Sequence, residues 1–489
     1  MEVSALAVDV VKNYINGRWV ESKAKETRDV INPATSEVIA KTPMSTAEEA
    51  NKAIEAAKAA FRRWRTTPVF TRIRYLNRIR DAFEDNYEEL CKILTMEQGK
   101  AIDESRGEYR RTIENLECAT SIPSLQMGYN TEDIAAGIDE MVIKQPLGVF
   151  FCVAPFNFPG MVPTWFWPFA VGAGNTYIVK PSEQVPMSQV RQFEIIDKVG
   201  LPKGVLNMVH GDAEVVNAFL ESPDTIGMSF VGSTRVGKLL YKKAGEYSKR
   251  AQVQGGAKNF LTVMPDADLE RTVPALITSF YGCTGQRCLA GGVLLAVGDA
   301  YEPLKEAIVE ASRTVSVGYG LEEGVQMGPL ASKQGMDRVL SYIEKGLEEG
   351  AELLLDGRGI KIKDYENGYF VGPTVFDKVK PDMAIAQEEI FGPVIPIIHV
   401  KDLDEAIEII HANRYGNASS VFTSSGSVAR EYQYRVRAGN IGINIGIAAP
   451  IATFPFSGMK DSFMGDLHGQ GKDAVDFFTE NKVVITRWF

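Results

Sequence analysis

The sequence predicts an α/β protein with mostly parallel strands. Two observations carry that prediction. Amphipathic helix patterns alternate with short apolar, β-branched runs through most of the chain. Turn-forming residues follow those runs directly: 176–179 gives way to Lys180-Pro181-Ser182, and 225–231 stops at Gly232. At 489 residues the chain is too long for one ordinary core and predicts two or three domains.

In chain order, 45–65 reads as one amphipathic helix. Ser45 and Glu48 have capping-box spacing, and Ile54, Ala57, Phe61 and Trp64 share a face. The alternation breaks over 129–144, where Gly137 separates two runs and Pro146 follows the second; a β-hairpin outside the main sheets is expected. The runs 176–179 and 225–231 read as buried strands, and 237–248 as a helix. A further helix pattern ends near Tyr281. Residues 482–488 read as a strand with no downstream partner, an edge that another subunit could cover. No internal repeat or low-complexity tract appears. Asn417-Ala418-Ser419 matches a glycosylation acceptor, read here as chance.

Hydrophobic residues make up 45% and charged residues 24%, the balance of a soluble globular chain. A net charge of -10 argues against general attraction to nucleic acid or an anionic membrane. An anionic ligand would therefore need a local cluster of Arg, Lys or backbone N–H groups. The five cysteines (Cys91, Cys118, Cys152, Cys283 and Cys288) are too sparse for a disulfide framework and suggest a reducing compartment. Residues 1–12 lack a basic, apolar leader and contain no Arg, so no targeting signal is expected. The most apolar stretch, 161–179, is interrupted by prolines and glycines and reads as no membrane span. The expected location is cytoplasmic.

Phe230-Val231-Gly232-Ser233-Thr234-Arg235-Val236-Gly237 lies between a strand and a helix. Its glycine spacing departs from G-x-G-x-x-G, but it can do the same job. Glycine lets backbone approach a pyrophosphate, and the helix N-terminus offers free N–H donors. A plain turn with an N-cap uses the same residues. Lys180 and Glu183, three apart after a strand, can hold a ribose diol; the carboxylate would repel a 2′-phosphate and favour NAD over NADP. A solvated turn is the alternative.

Cys288 ends the Gly-rich turn Gly282-Cys283-Thr284-Gly285-Gln286-Arg287-Cys288, where it is open to reaction and Arg287 favours its thiolate. Cys283 reads as a structural thiol. No His or further Cys stands at metal-ligand spacing, so no metal is expected. Oxidation of an aldehyde through a cysteine passes through an oxyanion that needs preorganised donors. Asn157, set between aromatics and prolines in Ala154-Pro155-Phe156-Asn157-Phe158-Pro159, is a candidate donor; a simple turn cap is the alternative. Phe156, Trp165, Phe166 and Trp167 are open between tunnel lining and core, with core the default for most.

Together with Asn-Pro-Ala-Thr at 32–35, Glu388-Glu389-Ile390-Phe391-Gly392-Pro393 and Phe454-Pro455-Phe456-Ser457-Gly458, these segments resemble the aldehyde dehydrogenase superfamily in order and over nearly the whole chain. The chain is most similar to its CoA-acylating branch, the methylmalonate-semialdehyde dehydrogenases, over 155–182 and 454–488. In Gln254-Gly255-Gly256-Ala257-Lys258-Asn259, Gln254 stands where most relatives place the Glu that activates water, as in that branch. An amide cannot act as that base.

The resemblance implies a Rossmann-type NAD-binding domain (1–125 and 147–257, with 448–470 packing back), an α/β catalytic domain (258–447) and a small β oligomerisation arm (126–146 and 471–489). It implies Cys288 as nucleophile and Asn157 with the Cys288 N–H as oxyanion donors. Arg111 and Arg287 would meet a substrate carboxylate, with Phe156 beside them; Arg110, or Arg111 itself, could equally be a helix-surface ion pair. Ala154, Phe156, Lys180, Ser182, Glu183, Phe230, Gly232, Ser233, Gly237, Glu389 and Phe391 would contact NAD. Coenzyme A is the implied acyl acceptor and a small semialdehyde the substrate, in a homodimer or homotetramer. A hydrolytic NAD(P)-dependent relative, yielding a free acid from another aldehyde, is the rival expectation.

Overall fold

The computed structural model describes residues 9–489. Part of the leader reading over 1–12 therefore lies outside the described residues. Two sheets carry the architecture. The first has eight strands in the order Trp19–Val20, Asn13–Tyr14, Leu206–Met208, Thr176–Lys180, Val149–Val153, Thr225–Val231, Arg250–Gln254, Phe463–Met464. Its inner five run parallel. The chain steps outward from Val149–Val153 to Leu206–Met208, then restarts on the other side at Thr225–Val231. That reversal opens a crevice at the carboxyl ends of Val149–Val153 and Thr225–Val231, where doubly wound sheets take their ligands. Thr176–Lys180 is buried along its whole length, as a strand covered on both faces must be.

The second sheet has seven strands in the order Glu352–Leu355, Thr374–Asp377, Val394–Val400, Gly291–Val297, Asn259–Val263, Ala418–Phe422, Asn440–Ile443. Only Glu352–Leu355 runs antiparallel. The Cys288 turn leads into Gly291–Val297, and Glu389–Pro393 leads into Val394–Val400. The first sheet thus contributes carboxyl ends to the site and the second contributes amino ends.

The helix expected over 45–65 spans Ala47–Trp64 and buries Ile54, Ala57 and Trp64. Its capping box sits one residue later than the expected Ser45 and Glu48. Thr46 is the N-cap, and its N–H donates to Glu49 Oε2 at 3.0 Å. Ser45 instead accepts from Asn13 Nδ2 at 2.9 Å, and Glu48 pairs with Lys52.

The expected hairpin forms as Tyr129–Ala135 and Ile138–Pro146 around Gly137 (φ 71°). The C-terminal strand, Thr479–Arg487, does find a partner in its own chain. It pairs antiparallel with Ile138–Pro146 along its full length. This three-stranded arm keeps large apolar side chains on its surface, with Tyr129, Ile134, Val483 and Ile485 exposed among polar neighbours. Its root is locked to the first sheet by Phe150, whose ring meets Phe477 at 5.7 Å and Phe478 at 4.9 Å between centroids.

Phe150 is wholly buried, so Phe150→Ala should cost about 3–5 kcal/mol through lost burial and the cavity left behind. Chemical denaturation reads the loss. Limited proteolysis should show earlier cleavage around 479–487; unchanged cleavage there would mean that the arm does not depend on this contact.

Candidate active site

Three loops meet at Cys288. The turn that carries it is strained: Cys283 (φ 50°) and Thr284 (φ 57°) both adopt left-handed backbone, followed by Gly285 (φ 72°). A Cβ on Gly285 would lie 2.2 Å from the Gly392 carbonyl oxygen, so the turn can press directly against the Glu389–Pro393 segment. The Cys288 carbonyl is then pinned by two amides, Asn259 Nδ2 at 2.8 Å and Asn417 Nδ2 at 2.8 Å. Asn417 is buried and serves this packing, which gives the apparent glycosylation acceptor a structural reason.

Asn157 follows the strand Val149–Val153. Its Nδ2 donates to the Gln286 carbonyl at 3.0 Å and lies 3.9 Å from Cys288 Sγ. An amide donor therefore stands beside the Cys288 thiol, a position from which it could serve an oxyanion. Its loop is held by a buried ion pair that the sequence reading missed. Lys100 Nζ donates to Glu108 Oε2 at 2.6 Å and to the Asn157 carbonyl at 2.6 Å, and both side chains are 0% exposed. Lys100 also stands 3.9 Å above the Phe158 ring. Glu108 Oε1 accepts from Gly160 N–H at 2.8 Å and Met161 N–H at 3.0 Å. A signal existed: Ser105, Glu108, Tyr109, Thr112 and Ile113 recur at helical spacing on a buried face, which puts a carboxylate where an apolar residue belongs.

Two cavities open on either side of Cys288, which lines both. The larger cleft lies at the strand-order reversal. Ala154, Phe156, Lys180, Ser182, Glu183, Phe230, Gly232, Ser233, Glu389 and Phe391 all line it. Ser233 is also the N-cap of helix Thr234–Glu246, accepting from Val236 N–H, so the turn reading and the cleft reading hold together. Gly237 does not line the cleft. A Cβ there would meet Val253 Cγ1 at 2.8 Å, so this glycine lets the helix close on the sheet. Lys180 Nζ lies 3.1 Å from Glu183 Oε2, and Arg28 reaches Glu183 Oε1 at 2.7 Å. Burial pushes the Glu183 carboxyl up, but Lys180, the local backbone and Arg28 outweigh it, and its pKa falls below the ordinary value. An ionised acceptor for hydroxyls thus faces the cleft. Glu389 accepts from Ala257 N–H at 2.9 Å, and a Cβ on Gly256 would sit 2.6 Å from its other oxygen.

The second cavity is mostly apolar, with Phe158, Met161, Val162, Trp165 and Phe456 on its walls. Arg111 and Arg287 both line it. Phe156 does not; it faces the cofactor-side cleft, edge-on to Phe391 at 5.9 Å, and Phe158 takes its expected place. Trp165 lines this cavity, whereas Phe166 and Trp167 are core. Arg111 pairs with Glu114 at 2.8 Å and Arg287 pairs with Glu104. Arg110 makes the surface ion pair expected of it, with Glu84 at 2.8 Å.

Cys288 corrects one expectation. Burial, then the negative charge of Glu389, push its thiol up to about 11, against weaker help from Asn157 and the Cys288 N–H. Arg287 is turned toward Glu104 and does not favour the thiolate. Gln254 lines neither cavity: its Nε2 donates to the Phe456 carbonyl at 2.9 Å.

The chain that builds this arrangement of thiol, amide donor and strand-end cleft matches a known family. The family model for the aldehyde dehydrogenase family covers residues 19–484. The chain belongs to the aldehyde dehydrogenase family. Malonate-semialdehyde dehydrogenase 2 of Geobacillus kaustophilus is 46% identical over 98% of this chain and 99% of its own length. The solved methylmalonate-semialdehyde dehydrogenase of Oceanimonas doudoroffii is 39% identical, with a TM-score of 0.97 over 98% of both chains. A Sinorhizobium meliloti protein assigned the latter activity and solved with NAD is 38% identical, with a TM-score of 0.97 over 98% of both chains. Among the described residues, no helix of this aldehyde dehydrogenase is long and apolar enough to cross a membrane.

Two outcomes test the site. Lys100→Met should cost about 3–5 kcal/mol by leaving Glu108 buried and uncompensated, while Lys100→Met with Glu108→Leu should recover much of that. Recovery of stability should not restore acylation, because the Asn157 loop has lost its partners; thermal unfolding and single-turnover kinetics separate the two. A Lys100→Met protein as stable as wild type would refute the bracing role. With a thiol near 11, alkylation of Cys288 by iodoacetamide in NAD-free protein should rise about tenfold per pH unit between roughly pH 7 and 10. Glu389→Gln should speed it at pH ~8 by removing a nearby negative charge; an unaltered rate would show that Glu389 does not act on the thiol.

Proposed function

We propose that this aldehyde dehydrogenase oxidises malonate semialdehyde or methylmalonate semialdehyde with NAD and passes the acyl group from Cys288 to coenzyme A. The observation that carries this reading is the convergence of Arg111 and Arg287 on the cavity that holds Cys288. Two guanidinium groups over an apolar floor suit a short aldehyde that ends in a carboxylate. The names of the similar proteins point the same way.

Cys288 attacks the aldehyde carbon, and Asn157 Nδ2 with the Cys288 N–H stabilises the oxyanion. When bound, NAD takes up the hydride and coenzyme A supplies the accepting thiol. Glu389 and Phe391 border the cleft where the nicotinamide end would lie, and Glu183 with Lys180 the ribose. Arg111 and Arg287 hold the carboxylate. Gln254 has no basic group to offer water, so the Cys288 thioester persists until a thiol arrives. The balance closes: semialdehyde, NAD+ and CoA thiol give NADH, carbon dioxide and acetyl-CoA, or propionyl-CoA from the methylated substrate.

Within this reading, 1–125, 147–257 and 448–470 form the NAD-binding domain, 258–447 the catalytic domain, and 126–146 with 471–489 the arm. Sheet membership supports that division. The exposed apolar residues and open edges of the arm support pairing in a homodimer or homotetramer. Free thiols suit the cytoplasm.

NADH formation from malonate semialdehyde, with and without coenzyme A, tests the proposal. Without coenzyme A a burst of about one NADH per subunit should appear and then stall, and with it steady turnover should give acetyl-CoA. Cys288→Ala should abolish both phases. Full turnover without coenzyme A, with free acid accumulating, would instead make the enzyme hydrolytic.

A further inference from the structure

Both arginines of the substrate cavity are already paired with carboxylates of the chain. Arg111 leans toward solvent on Glu114, at 2.8 Å, with both side chains about a third exposed. Arg287 is different: it is largely buried and bound to Glu104, itself 20% exposed and lining the same cavity as Cys288. The Cys283 thiol donates to that same Glu104 oxygen at 3.4 Å, which fixes the carboxylate from the side of the catalytic turn. Of the two carboxylates on the cavity wall, Glu108 is neutralised by Lys100. Glu104 is therefore the wall carboxylate whose charge bears directly on the guanidinium that would meet an incoming carboxylate.

We infer that Glu104 is the internal counter-ion of Arg287, a positioning residue whose charge sets how strongly the cavity prefers carboxylate-bearing aldehydes over uncharged ones. The inference rests on the proposed substrate class. A guanidinium has five N–H donors, so Arg287 can keep one edge on Glu104 and offer the other to a substrate. Glu104 then does two opposed things. It holds the buried guanidinium in place when the cavity contains no anion, since an unpaired buried charge is costly. It also cancels much of the positive potential that a substrate carboxylate would feel. When the carboxylate leaves as carbon dioxide, Arg287 still has its partner, so the cavity loses its hold on the product without stranding a charge.

Glu104→Gln separates the two effects, because the amide oxygen still accepts from Arg287 but carries no charge. Malonate, which cannot react, is titrated by calorimetry into the full-length NAD-bound protein in a Cys288→Ala background. Glu104→Gln should tighten malonate binding about tenfold, the order expected for removing one partly screened charge a few ångströms away. In the Cys288-intact enzyme its KM for malonate semialdehyde should fall similarly, with kcat/KM for propanal unchanged. Glu104→Asp keeps the charge and should stay within about twofold of wild type. The inference is overturned if Glu104→Gln binds malonate no more tightly, if malonate binds neither protein, or if propanal kinetics shift equally. Should the wild type oxidise propanal as readily as malonate semialdehyde, the proposed substrate class falls, while the malonate titration still decides the role of Glu104.

Discussion

The site depends on one buried ion pair. Lys100 and Glu108 are both removed from solvent, and neither charge could be there alone. Their remaining hydrogen-bonding capacity goes to one loop: Lys100 to the Asn157 carbonyl, Glu108 to the N–H groups of Gly160 and Met161. Gln189 and Gln192 take the Pro159 and Gly160 carbonyls from the opposite side. With the backbone held at these points, the Asn157 amide has one direction to face, toward Gln286 and Cys288. A donor held this way would need no reorientation if oxyanion charge developed beside Cys288.

That loop belongs to the first sheet, and the Cys288 turn belongs to the second. The strand-order reversal supplies the cleft, but Cys288 must be delivered to it from outside. The contact between Gly285 and Gly392 makes delivery possible, since any side chain at 285 would push the two segments apart. Asn259 and Asn417 then fix the Cys288 carbonyl from the starts of two parallel strands. The backbone strain at Cys283 and Thr284 sits in the turn that makes this junction.

Much of this was legible before any coordinates. Strand-then-glycine punctuation at 225–232 and the run after 176–179 located the cleft, because crevice residues must follow strand ends. The hairpin around Gly137 was equally visible. What stayed hidden depended on side-chain direction or long-range pairing. Lys100 and Glu108 are eight residues apart, and nothing local shows that they meet beneath Phe158. Arg287 next to Cys288 in sequence suggested an activating charge, yet adjacent residues in a tight turn diverge, and Arg287 turns to Glu104. Phe156 and Phe158 alternate likewise, one into each cavity. The capping box slipped by one residue because Ser45 was already committed to Asn13.

Apolar walls around Cys288 and the charge of Glu389 keep the thiol neutral near 11, which looks like a poor start for a nucleophile. Cys288 is nonetheless partly exposed and opens on both cavities, so these walls do not by themselves keep water from an acyl group there. Gln254 gives such water no help: it has no basic group, lines neither cavity, and is tied to the Phe456 carbonyl. On the proposed reading, such a site would be slow to hydrolyse a thioester but open to a second thiol, which is intrinsically more nucleophilic than water and needs less help from a base. On that reading the amide at 254 denies water its base, and the intermediate is left to the incoming thiol.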